Sequence, residues 1–252
     1  MKLNLSNVTL IGIDCINVER LQKALAISSQ DIEFGAVKLL TSLPTPDARK
    51  VKIPRINSIE GFSRFCICDL HTYVDTEHVL LVQHDGFVLN SSSWEDNFLD
   101  YDYIGAPWLV ADWSVRDFNF PANLLGTRIV GNGGFCLRSK KFLETSARLA
   151  GRGAFSKLHP EDVAMCVWYR DEIANEGIQF APPDVAARFS IEGDDDVYNR
   201  QFGFHGLRWT DISAWTTKNP QWGIENSFSK APAKVSKVEP HSTLGKVYTR
   251  RI

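Results

Sequence analysis

Neither sign of charge is in excess in this chain: 28 Lys and Arg stand against 30 Asp and Glu, a formal net charge of -2 over 252 residues. That balance excludes the basic footprint with which nucleic-acid-binding domains collect phosphates. Long apolar runs are missing too, and none approaches the roughly 18 residues that a membrane-spanning helix needs. The opening stretch MKLNLSNVTLIGIDC has one Lys and an apolar run that ends at Asp14, so it fits a first strand better than a signal peptide. Cysteine is scarce and odd in number, five in all, with no repeated CxxC pairs, which argues for free thiols in a reducing cytoplasm. Cys66 and Cys68 lie two apart, diverge on a helix and make a poor zinc pair. No internal repeat and no Walker loop is present, and the glycine-rich GNGG at 131–134 lacks the strand-to-helix context of a dinucleotide fingerprint.

What is present is a globular composition, 44% hydrophobic with 15 Phe and 7 Trp, in a chain long enough for one large α/β domain or two small ones. VTLIGI (8–13) reads as a buried strand and VERLQKALAISSQ as an amphipathic helix with Leu21, Ala24 and Leu25 on one face and Asn17 as N-cap. Phe34 to Leu40 follows as a second strand before a Pro-rich loop, giving a β-α-β start and hence a parallel sheet with a right-handed crossover. A helix from Ser58 to about Tyr73 leads to VLLV (79–82), an apolar run suited to a strand covered on both faces. Residues 109–128 show no period and read as a long loop. FCLRS reads as a strand, KKFLETSARLA as a helix, and HPED opens a further helix with Pro160 near its first position and Gly177 as C-cap. FAPPDVAARFSIEG reads as extended. Residues 1–222 are expected to form one domain and 223–252, polar and Lys-rich, a tail or surface extension. Lys230, Lys234, Lys237 and Lys246 are too spread out for a strong membrane patch, which leaves only peripheral membrane contact open.

Polarity arrives abruptly after VLLV, as Gln83, His84, Asp85 and Gly86, at the strand end where open α/β sheets place ligands. Asp85 is therefore a candidate anchor for a metal ion and a phosphorylated ligand. Asp-Gly is equally a strong hairpin-turn signal.

Five segments in order, GFSRFCICDLHTYVDTEHVLLVQHDGFVLN, FLDYDYIGAPW, VGNGGFCLRS, HPEDVAMC and FGFHG, resemble nucleotide-sugar glycosyltransferases of the GT-A type, most closely an incompletely characterised glycosyltransferase-like group. The resemblance covers roughly residues 8 to 207. It implies a single-domain, Rossmann-like GT-A α/β fold with a central, mostly parallel twisted sheet flanked by helices. It further implies transfer of a sugar from a nucleotide-diphosphate donor, UDP-linked in the first instance, to the hydroxyl of a glycan or glycolipid, as in polysaccharide biosynthesis. In such enzymes an Asp-x-Asp motif holds Mn²⁺ or Mg²⁺ against the diphosphate. Here the triplet is Gln83-His84-Asp85, the first Asp is absent, and His205 in FGFHG stands where a distant His completes the metal shell. Glu161-Asp162 matches the pair in which inverting members place the general base, Asp162 first and Glu161 second. Asn132, Gly133, Gly134 and Trp108 would meet the sugars, and Asp14, Thr41, Ser42 and Arg64, with Gln83 and His84, the nucleotide. Arg138 and Arg188 are further phosphate candidates against the commoner fate of a salt bridge, and Asp194–Asp196 a candidate cation site against an ordinary solvated loop. Two other readings stand beside this one: an inactive sugar- or nucleotide-binding module of the same fold, and a metal-dependent hydrolase using Asp85, His84 and His205.

Overall fold

The sheet is built on β1, Leu3–Ile13, whose Val8, Thr9, Leu10 and Ile11 are wholly buried and so need cover on both faces. Asn17 then caps α1, Val18–Ser28, by accepting the Glu19 N–H, and Leu21, Ala24 and Leu25 face inward. Gly12 lets this helix close on the strand, since a Cβ there would lie 2.6 Å from the Leu21 side chain. β2, Ile32–Thr41, pairs parallel with β1, and β3, Lys50–Lys52, parallel with β2. α2, Ile59–Cys68, starts at Ser58, whose hydroxyl accepts the Gly61 N–H. The single helix expected to run to Tyr73 stops at Asp69 and continues as a 3₁₀ turn, Leu70–Tyr73.

β4, His78–Val82, is buried throughout and pairs parallel with β1. β5, Tyr103–Gly105, and β6, Pro107–Leu109, come next. Residues 109–128 are more ordered than the expected loop, for they contain α3, Asp112–Phe118, and lead into β7, Arg128–Val130, which pairs antiparallel with β6. The sequence hides α3 because only Ser114 of it is buried, so no apolar stripe marks a helical period.

β8, Phe135–Ser139, runs antiparallel between β4 and β5, which gives the six-stranded order β3-β2-β1-β4-β8-β5. Ser139 caps α4, Lys140–Gly151, by accepting the Phe142 N–H. The helix expected after HPED is interrupted. α5, Glu161–Val163, gives way to a π-helical turn, Ala164–Trp168, and then to α6, Arg170–Asn175, while Pro160 is the cap and not the first helical residue. Gly177, at φ 79°, closes α6 as expected. FAPPDVAARFSIEG, expected extended, folds into α7, Pro183–Phe189, and β9, Ser190–Ile191. Pro183 sits at the first helical turn, where a missing N–H costs nothing. β9 pairs with β10, Gly203–Phe204.

The computed structural model describes residues 1–192 and 199–206. Asp194–Asp196, the boundary at 222 and the Lys-rich tail lie outside the described residues. The fold is thus the expected α/β arrangement, a central, mostly parallel sheet flanked by helices and buried in the larger apolar cluster, with a smaller one around Val110, Phe120 and Val163. All five cysteines are free thiols. No helix among the described residues is long and apolar enough to cross a membrane.

Candidate functional site

Antiparallel β8 creates the site. Because Val82 pairs with Phe135, the residues before β8, Gly131 to Gly134, arrive beside the residues after β4, Gln83 to Gly86. Gln83 and Gly86 exchange backbone hydrogen bonds of 2.8 and 3.2 Å, so His84 and Asp85 occupy the tip of a tight turn. The Asp-Gly turn is thus present, although the chain does not return along β4 and no hairpin is formed. The segment from β10 closes over it: the Gly206 N–H donates to the Asp85 carbonyl at 2.8 Å and the His205 N–H to that of Ile191 at 2.9 Å. One cleft results, lined on one side by Asp14, Arg20, Gln83 and His84 and on the other by Gly133, Gly134, Glu161, Asp162 and His205.

Two carboxylates are buried in the second wall. Asp162 accepts the Gly133 N–H at 3.0 Å on Oδ2 and the Val163 N–H at 2.8 Å on Oδ1. Burial, with Glu192 adding to it, raises its pKa above the ordinary carboxylate value, and the two N–H bonds oppose that rise. Glu161 pairs with Arg138, Nη2 to Oε1 at 2.9 Å, in a salt bridge of which Arg138 is wholly buried. Burial pushes the Glu161 pKa up to about 7 against the pull of Arg138. Gly133 must be glycine here, since a Cβ would lie 2.3 Å from Glu161 Oε1.

Asp85, 1% exposed, lies below the cleft floor, its Oδ1 3.5 Å from His84 Nδ1 and 3.9 Å from His205 Nε2. His205 gives its other nitrogen, Nδ1, to Glu192 at 2.6 Å. Desolvation works against a charge on this ring, but Glu192, then Asp85 and Asp162, outweigh it and raise its pKa to about 9. The ring lies flat on the chain at Gly134, where a Cβ would come within 2.1 Å of Nε2.

Several expected contacts fall elsewhere. The Gly133 and Gly134 amides are spent inside the protein, on Asp162 and on Asn132 Oδ1 at 2.8 Å, and so are not free to meet sugar hydroxyls. Asn132 is wholly buried, with φ at 72°, and shapes the loop from beneath. Trp108 packs against Gly131, gives its indole N–H to Glu192 and does not line the cleft. Thr41 is buried and accepts the Leu43 N–H, Ser42 follows it, and Arg64 is exposed on α2; none of the three lines the cleft. Arg138 serves Glu161 and Arg188 pairs with Glu95, so both take the salt-bridge fate. Asp14 lines the cleft, but its Oδ1 accepts from the Ile16 and Asn17 N–H groups and its Oδ2 from Arg20, which makes it a loop organiser. The residues that sequence reasoning missed are Arg20 and Glu192. No local rule links Arg20 to His84, 64 positions away, or Glu192 to Trp108, 84 positions away, and only the closed fold does.

For a divalent cation the structure offers a carboxylate oxygen, Asp85 Oδ1, and, once the ring gives up the proton that its neighbouring carboxylates hold on it, His205 Nε2; their 3.9 Å separation is compatible with joint ligation. His84 does not add to them: Arg20 Nη1, which can only donate, lies 3.3 Å from His84 Nε2, so that nitrogen accepts and Nδ1 carries the proton. Among the described residues no group of three His, Cys, Asp or Glu side chains is arranged to hold a metal. The pair fits a hard cation that draws its remaining ligands from phosphate and water.

The family model described as "Protein of unknown function (DUF5672)" matches residues 47–205. The chain belongs to this family. The DUF5672 segment contains the β4 turn, the GNGG loop, Glu161-Asp162 and His205, while Asp14 and Arg20 precede it. No curated protein matches the sequence. Among solved structures, the chain is similar to the galactosyltransferase LgtC in complex with donor and acceptor sugar analogs, at 14% identity and a TM-score of 0.46 over 92% of this chain and 98% of that one. It is similar also to core-mannan synthase A from Aspergillus fumigatus in its Mn/GDP form, at 9% identity and 0.42 over 64% and 70%. A third similarity, to the bifunctional IspDF from Campylobacter jejuni, has 12% identity and a TM-score of 0.42 over 69% of this chain and 48% of that one. The chain thus spans about half the length of IspDF.

Proposed function

We propose that this protein is a GT-A-type glycosyltransferase that moves a sugar from a nucleotide-diphosphate donor, UDP-linked in the first instance, to a glycan or glycolipid hydroxyl with inversion. The observation that carries the reading is one cleft at the carboxyl ends of β1 and β4 with a cationic side chain, Arg20, on one wall and two buried carboxylates on the other. Such polarity suits a ligand that is anionic at one end and presents a hydroxyl for deprotonation at the other. The ordered motifs of the sequence point the same way.

Asp162 is the better base. Its two oxygens are each oriented by a backbone N–H, while Glu161 is committed to Arg138. A carboxylate so placed takes the proton of the acceptor hydroxyl as that oxygen attacks the anomeric carbon opposite the leaving phosphate, and needs no covalent intermediate. Asp85 and His205 would hold Mn²⁺ or Mg²⁺. When bound, the cation neutralises charge on the departing nucleoside diphosphate. A second reading, a binding module of the same fold without turnover, is favoured by Gln83 in place of a first Asp and by the two-residue ligand set. The hydrolase reading loses His84, whose Nε2 is taken by Arg20.

The test is release of nucleoside diphosphate from a panel of UDP-, GDP-, ADP- and dTDP-sugars, with and without Mn²⁺ and glycan acceptors, with the product anomer read by NMR. Turnover of one donor to the inverted anomer is expected. Tight donor binding with no turnover under any condition would leave the binding module as the correct reading.

A further inference from the structure

We infer that Arg20 is a phosphoryl-binding residue of the cleft, presented by Asp14 and His84, and that it binds the diphosphate of the nucleotide ligand even before a metal ion joins the site, the cation acting on the charge of the leaving group during transfer. The inference rests on the nucleotide-sugar reading for the identity of the ligand but on separate geometry for the site.

The guanidinium is held at two points. Nε donates to Asp14 Oδ2 at 2.8 Å and Nη1 to His84 Nε2 at 3.3 Å. No acceptor among the described residues takes Nη2. This differs from the other arginines that meet carboxylates along a planar edge. Arg49 closes its Nε and Nη2 on Asp47, Arg116 on Asp117 and Arg188 on Glu95, each as a two-toothed fork. Arg20 is prevented from doing so, because the second oxygen of Asp14 is already occupied by the Ile16 and Asn17 amides at 2.7 and 2.9 Å. The outer edge of the guanidinium is thereby kept for something else, and Arg20 lines the cleft.

The support is fixed. Asp14 has a side chain only 7% exposed, at the end of the central strand, and His84 is anchored in turn by Nδ1 facing Asp85 Oδ1 at 3.5 Å. A fork fixed on one edge and open on the other matches the planar, multidentate oxygen array of a phosphoryl group, for which arginine is better suited than lysine. Across the cleft the carboxylates of Glu161 and Asp162 would repel the same group, so the arrangement places the phosphates at the β1–β4 side and leaves the sugar end toward Asp162. Asp14 and His84 are positioning residues here, since the hydrogen bonds that each makes to Arg20 fix its direction.

The test is calorimetric titration of the full chain with inorganic pyrophosphate, UDP and uridine, in EDTA and again in Mn²⁺, for wild type, Arg20→Met and Arg20→Lys. Wild type should bind pyrophosphate and UDP in EDTA. Arg20→Met should weaken both by about ten- to a hundredfold, as expected for loss of charge-assisted hydrogen bonds, and leave uridine unchanged. Arg20→Lys should fold and fall between the two, because one ammonium replaces the fork. It also keeps the question decidable if Arg20→Met melts early. Equal binding of pyrophosphate by all three proteins, or none by wild type in EDTA, would overturn the inference. Arg20-dependent pyrophosphate binding without turnover of any donor would defeat the transferase reading and leave this site standing. Donor turnover with binding indifferent to Arg20 would do the reverse.

Discussion

The two walls of the cleft solve opposite electrostatic problems. On the wall formed by the GNGG loop and α5, the carboxylates of Glu161 and Asp162 are buried, and the protein compensates them internally with Arg138 and with the amides of Gly133 and Val163. On the wall formed by the ends of β1 and β4, the functional charge is the cation Arg20, a quarter exposed, and the protein fixes its direction but leaves its outer edge open. A buried acid meant to receive a proton must be held by the chain itself, whereas a surface cation meant to receive an anion need only be aimed. The consequence is that the first wall is tied to stability and the second mainly to binding.

The largest effect should follow from cutting the internal compensation. Arg138→Met strands Glu161 in a buried site and should cost about 3 to 5 kcal/mol by denaturant unfolding, because removal of one partner leaves the other uncompensated. Adding Glu161→Leu to it should recover most of that loss. No such coupling is expected between Arg20 and its neighbours on the open wall, and a comparable loss there would erase the distinction drawn between the two.

A smaller effect is expected at the seam. In Gly134→Ala the new methyl would sit 2.1 Å from His205 Nε2, so the ring must leave its place over Asp85. The expected cost is about 1 to 3 kcal/mol in unfolding free energy, the range for overpacking, and the His205 ring resonances should shift in NMR spectra while those of α1 do not.

A pH dependence is expected at the carboxylate wall as well. The folded-state pKa of Glu161 is raised from 4.5 to about 7, so the folded protein holds this proton more tightly than the unfolded chain does. Its contribution to stability is therefore fully present below pH 4.5 and is lost as pH rises through about 7. Melting curves of wild type and Glu161→Gln compared across that window should show the wild type losing stability relative to the variant as pH rises. Parallel curves would mean that Arg138 holds Glu161 ionised throughout.

How much of this was legible in the sequence differs between the walls as well. The sheet was readable where burial writes a pattern: VTLIGI, VLLV and FCLRS are mostly apolar runs buried on both faces, and the stripe of Leu21, Ala24 and Leu25 marks α1. α3 was not readable, because it buries almost nothing, and α7 was hidden by the Pro182-Pro183 pair that in fact starts it. The carboxylate wall lay within contiguous motifs, so Asp162, Glu161 and His205 could be named and do line the cleft. The cationic wall is made by long-range closure. Asp14 was placed at the cleft but given the part of a nucleotide contact, whereas its oxygens are filled by its own loop and by Arg20. Arg20 belongs to no sequence motif, and only the closed fold brings His84 of the β4 turn against it.

The measurement that bears most directly on the account is a comparison of wild type with Asp162→Asn on the donor that the panel selects. The substitution keeps the shape of the side chain and an oxygen able to accept from Gly133, and removes the basic carboxylate. We expect donor affinity close to wild type, a folded protein with a melting temperature lowered by the lost acceptor for the Val163 N–H, and turnover reduced by about 10²- to 10⁴-fold, the scale of general base catalysis. Near-normal turnover by Asp162→Asn would contradict the assignment of the buried carboxylate wall as the catalytic one.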